Sequence, residues 1–88
     1  MVKINIVRSG GIKMYYAICK DLETKKWIIL EFNNEKEQKI FIAGRGFASR
    51  FFNRHIVSEK LAIGVLAKEN RYTIKYNGYN LNVLGLTL

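Results

Sequence analysis

Arg71-Tyr72-Thr73-Ile74-Lys75-Tyr76-Asn77-Gly78-Tyr79-Asn80-Leu81-Asn82-Val83-Leu84 is the stretch on which the fold turns. Apolar and polar residues alternate on both sides of an Asn-Gly pair. That pair is preferred in a two-residue type I′ turn because both of its positions need positive φ. The stretch predicts an antiparallel hairpin, with Tyr72, Ile74 and Tyr76 on one face and Arg71, Thr73 and Lys75 on the other.

Upstream, the segments from Val2 to Ala43 read as short strands. Val2, Ile4 and Ile6 alternate with Lys3 and Asn5, and Arg8-Ser9-Gly10-Gly11 turns the chain into Ile12–Cys19 to make a first hairpin. Two polar connectors, Asp21–Lys25 and Asn33–Glu37, then precede strands at Trp27–Phe32 and Lys39–Ala43. Short polar links between consecutive strands favour an antiparallel meander.

The period changes after Gly44-Arg45-Gly46. On a helical wheel Phe47, Ala48, Phe51, Phe52, His55 and Ile56 share one half, while Ser49, Arg50, Asn53 and Arg54 share the other, which predicts one amphipathic helix near residues 46–57. Arg50 and Arg54, one turn apart, would then point outward together. Leu61–Ala67 fits strand better than helix, because Gly64 and a broken helical phase weaken the alternative. The fold class expected is α+β, a single compact domain over residues 1–88 with about six to seven short strands and one main helix.

Eighty-eight residues leave room for one core, and the 49 % apolar and 12 % aromatic content suits a globular chain. Proline is absent, so backbone donors for sheet pairing are available throughout. The lone cysteine, Cys19, lies in an apolar run and reads as a buried thiol in a reducing, cytoplasmic compartment. No apolar run suggests a leader peptide or a membrane span, so no membrane partner is expected.

Motifs for chemistry are sparse. One Cys and one His do not make a metal centre, and the carboxylates of Asp21, Glu23, Glu31, Glu35, Glu37, Glu59 and Glu69 fall mostly in polar connectors, where they read as solvated charges. His55, at the edge of the helix's apolar half, reads as a half-buried histidine. Gly44-Arg45-Gly46 lacks the spacing of a dinucleotide fingerprint and reads as a tight strand-to-helix turn, with phosphate contact as the lesser alternative. No catalytic residue, cofactor or metal is therefore expected, a small metal-independent ribonuclease being the lesser enzymatic reading.

The charge points to a partner. Fifteen Lys plus Arg against seven Asp plus Glu give a net charge of +8, enough to attract polyanions to so small a body. Arg45, Arg50, Asn53 and Arg54 form the densest basic run, with Arg71, Lys75 and Tyr79 extending it over the final hairpin. Tyr15, Tyr16, Trp27, Tyr72, Tyr76 and Tyr79 offer rings either for packing or for base stacking. The expectation is a nucleic-acid-binding protein that holds DNA or RNA by its phosphates with limited sequence specificity. The alternative is an interaction or inhibitor module, of the kind phage, plasmids and viruses carry, docking its basic surface on an acidic protein, and exposed strand edges admit a homodimer.

Overall fold

The computed structural model describes residues 13–86. Among them β1 (Tyr15–Asp21), β2 (Lys26–Phe32), β3 (Phe51–Val57), β4 (Ala67–Tyr76) and β5 (Tyr79–Leu86) form one antiparallel sheet in the order β3-β1-β2-β5-β4. Helix α1 (Glu35–Ala43) and a 3₁₀ turn (Arg45–Phe47) join β2 to β3, and a helical turn (Glu59–Leu61) running into a π turn (Ala62–Leu66) joins β3 to β4. The α+β class and the antiparallel sheet stand, with five strands among the described residues rather than six to seven. The strand expected at Val2–Val7 lies outside the described residues.

The final hairpin forms as its alternation requires. Tyr76 pairs with Tyr79 across the turn, and Asn77 and Gly78 have φ of 50° and 82°, both in the left-handed region that type I′ demands. Asn77 also donates from its side-chain amide to the Gly46 carbonyl at 3.3 Å, which ties the hairpin tip to the 3₁₀ turn.

Three local assignments change. Lys39–Ala43 belongs to α1, because the connector before it starts a helix: Asn34 accepts a hydrogen bond from the Glu37 backbone N–H at 2.8 Å, and Glu35 and Glu37 sit in the positive first turn. The Ile40-Phe41-Ile42 run looks like a strand only when that cap is overlooked. Leu61–Leu66 is helical, started by Ser58, whose hydroxyl accepts from the Leu61 N–H at 3.2 Å.

The helix expected near residues 46–57 is largely strand β3. Lys20 and Ile18 share a face of β1, and they pair with Phe52 and His55; between them Cys19 faces both Asn53 and Arg54. This is a β-bulge, with Asn53 at φ 54°. Asn tolerates that conformation better than other side-chain-bearing residues. The extra residue flips the alternation, so residues three apart fall on one face and imitate a helical period. Phe, His, Ile and Val at these positions also favour a pleated strand over a helix.

A flat five-stranded sheet would hold its outer strands roughly 19 Å apart. Here Phe51 on one edge and Tyr76 on the other have ring centroids 5.3 Å apart, and the Ser49 hydroxyl hydrogen-bonds the Tyr76 hydroxyl. The sheet is therefore curled into a partly open barrel. Its concave face holds the main core, including Cys19, Ile28, Leu30, Phe51 and Val83, capped by Phe41 of α1 and by Phe47. Gln38 fastens α1 to the sheet by donating to the Tyr16 carbonyl at 2.8 Å. The β3–β4 connection covers part of the convex face, packing Ala62 against Tyr16, Ile29 and Leu84.

Candidate nucleic-acid interface

The basic run Arg45–Arg54 does not make an outward-facing helix. Arg45 opens the 3₁₀ turn, and Asn53 is committed to the bulge backbone. The Arg54 guanidinium lies 5.6 Å from the centre of the Phe41 ring and donates to the Phe51 carbonyl at 3.3 Å. Arg71 pairs with Glu31 at 3.1 Å on β2, while Lys75 is exposed on β4. Tyr79 is half-exposed beside Phe47, with ring centroids 5.3 Å apart. Arg54 and Tyr79 lie on the concave side and at the hairpin tip, whereas Arg71 and Lys75 lie on the opposite face of β4, so these residues do not form one surface.

Arg50 is the clearest departure. Its guanidinium donates through Nε and one Nη to the two oxygens of Asp21 at 2.9 and 3.0 Å and reaches Glu23 at 2.8 Å. Asp21 is fully buried and also accepts from the Glu23 N–H at 2.9 Å. It is thus no solvated loop charge. Burial pushes its carboxyl up, but the Arg50 and Glu23 hydrogen bonds and the Arg50 charge outweigh that and hold it below its ordinary value. The same pair raises Arg50. The Leu22 N–H donates to the Arg50 carbonyl at 2.8 Å, so the β1–β2 turn and the start of β3 are clasped twice. Arg50 holds the fold, and its fork is already filled.

Cations that make no salt bridge among the described residues gather elsewhere, around the β1–β2 turn. Lys20 on β1 is the direct cross-strand neighbour of Trp27 on β2 and of Phe52 on β3. All three lie on the convex face, where Trp27 is 36 % and Phe52 54 % exposed. The β3–β4 connection stops short of them. Lys25, held at φ 64° by the turn, and Lys26, the cross-strand neighbour of Asp21, add positive charge at the turn just before Trp27, with Lys26 on the concave side of the strand. They line an open groove of about 500 Å³ at the end of the sheet on its concave side, whose other walls include Trp27, Ile28, Asn70 and Tyr72, the last 44 % exposed and set on the core face opposite Val83. Burial, with a smaller contribution from the Asp21 charge, raises the Tyr72 phenol above its ordinary value.

The second cleft, about 300 Å³ between α1 and the hairpin tip, is lined by Glu31, Glu37, Asn33, Asn80 and Asn82 beside Phe41 and Tyr79. Two carboxylates make it a poor place for a polyanion. His55 is exposed on the convex face of β3 instead of half-buried on a helix. Gly44 has an ordinary extended backbone, and it is glycine for space: a Cβ there would come 2.5 Å from the Ile40 carbonyl and 2.8 Å from the Phe47 ring. Cys19 is buried in the main core, where desolvation, helped by the nearby Asp21 charge, pushes its thiol to about 12. Among the described residues no group of three His, Cys, Asp or Glu side chains is placed to hold a metal ion, and no helix is long and apolar enough to cross a membrane.

Of the rings singled out in the sequence, Tyr16 is buried and Tyr15 and Tyr76 pack against the main core, which leaves Trp27, Tyr72 and Tyr79 open. Lys20, Lys25, Lys26 and Phe52 were not legible as a group. The Lys25-Lys26-Trp27 run was the available signal, but its continuation through Lys20 and Phe52 exists only once β3 pairs with β1. Comparisons with protein-family models, characterised proteins and solved structures find no match to this chain.

Proposed function

We propose that this chain is a small nucleic-acid-binding module that holds the phosphate backbone through Lys20, Lys25 and Lys26 and discriminates little between sequences. The observation that supports this best is the grouping of these three lysines, none in a salt bridge among the described residues, beside exposed rings and an open groove. Arg50, Arg71 and Lys39, by contrast, already face carboxylates. Lysine is a strongly hydrated point charge without a fixed fork, which suits contacts that follow a backbone without reading bases.

The reading is of a binder and not of an enzyme, acting in a reducing compartment such as the cytoplasm, where the buried Cys19 thiol is at home. Binding to fluorescent DNA and RNA at about 50 and 200 mM salt tests it. Micromolar affinity that falls steeply with salt supports the reading. No binding at the lower salt removes it and leaves docking on an acidic protein, a reading favoured by the exposed apolar residues Leu61, Ile63 and Val65 on the β3–β4 connection.

A further inference from the structure

Phe52, Lys20 and Trp27 form one row across three strands, ring, cation, ring, with the rings two strand spacings or roughly 10 Å apart. Both rings are open to water on a convex face that the β3–β4 connection leaves uncovered at this end. A duplex has no base face to offer such rings, since its bases are already paired and stacked. An unpaired base stacks on any aromatic ring, whatever its identity. Phosphates need a cation between and beside the stacking positions, and Lys20 lies between the rings while Lys25 and Lys26 precede Trp27 in the chain, at the turn next to it.

Resting on the nucleic-acid reading above, we propose that the partner is single-stranded nucleic acid whose bases stack on Trp27 and Phe52 while Lys20, Lys25 and Lys26 hold the phosphates. Stacking is sequence-tolerant, so the row selects strandedness and leaves sequence unread.

The chain has a single tryptophan, so its emission reports on the row directly. The intact protein is titrated with a 12-nucleotide oligothymidylate, the oligouridylate of the same length and a 12-base-pair duplex, following both Trp27 emission and the anisotropy of labelled strands. Quenching of Trp27 by one or both single strands, with tighter binding than to the duplex, is expected, and the thymidylate and uridylate arms separate DNA from RNA. Phe52→Ala keeps the reporter and should weaken single-strand binding roughly 5- to 150-fold, the loss of one stacked base. Trp27→Ala should do the same by anisotropy, and a thermal melt of each variant establishes that it is folded. Equal affinity for strand and duplex with unchanged Trp27 emission would overturn the stacking proposal and leave phosphate binding standing. Binding to none of the three would remove both.

Discussion

Arg50→Ala is the perturbation whose consequence follows most directly from the geometry. Asp21 is fully buried and receives two hydrogen bonds from the Arg50 guanidinium, at 2.9 and 3.0 Å. Removing the guanidinium leaves a carboxylate without its counter-charge in the interior, a loss of about 3 to 5 kcal/mol. For a domain of this size the whole stability is roughly 4 to 13 kcal/mol, so the variant is expected to melt roughly 12 to 40 °C lower.

Urea unfolding followed by Trp27 emission measures the change at pH 7. Acidification then supplies the sign. In the native chain the Asp21 pKa is held below its ordinary 3.8, so the pair contributes stability above that value and loses it as pH falls through the lower folded one. In Arg50→Ala desolvation alone remains dominant and the carboxyl rises, so the variant regains stability as pH falls and the gap between the two proteins narrows. An Asp21→Asn, Arg50→Ala double variant closes the cycle, and its cost should be smaller than the sum of the single costs by more than about 1 kcal/mol. A cost below about 1 kcal/mol for Arg50→Ala at pH 7, or strict additivity in the cycle, would refute the clasp and return Arg50 to the surface as a candidate phosphate contact.

Further outcomes follow from other positions. Gly78→Val forces a β-branched side chain to φ 82° and should cost about 1 to 3 kcal/mol, measured by thermal melting; no loss would contradict the type I′ turn. Gly44→Ala places a methyl against the Ile40 carbonyl and the Phe47 ring and should cost about 1 to 3 kcal/mol, and an unchanged melt would mean that α1 and the 3₁₀ turn pack loosely. The Cys19 thiol, buried and raised to about 12, should resist a disulfide reagent at pH 8 until urea unfolds the chain, and rapid native labelling would show that the core opens.

The elements that the sequence reveals and conceals differ for physical reasons. The hairpin at Asn77-Gly78 is local, so two turn residues and their alternating neighbours suffice. Helix α1 has a short apolar run of β-favouring residues, Ile40-Phe41-Ile42, and its decisive signal is the cap at Asn34 with Glu37 three positions on. Strand β3 imitates a helix because one bulge at Asn53 changes the phase of everything after it. The Asp21–Arg50 pair joins residues 29 apart in sequence, and nothing near either one marks it. Net charge points to a partner class, yet which rings are open and how the lysines group depend on the pairing of β1 with β2 and β3, which no single segment carries.

The measurement that bears most directly on the central claim compares two triple variants that remove the same charge from different places. Lys20, Lys25 and Lys26 are replaced by Gln in one, and Lys36, Lys39 and Lys60 in the other; affinity for a 12-nucleotide single strand is then read as a function of salt. The first variant should lose about 2 to 3 from the slope of log affinity against log salt, close to 0.7 to 0.9 per lost phosphate contact. The second should keep a slope near that of the native chain. Equal slopes in the two variants would mean that the charge acts as a diffuse field, with no interface at the β1–β2 turn.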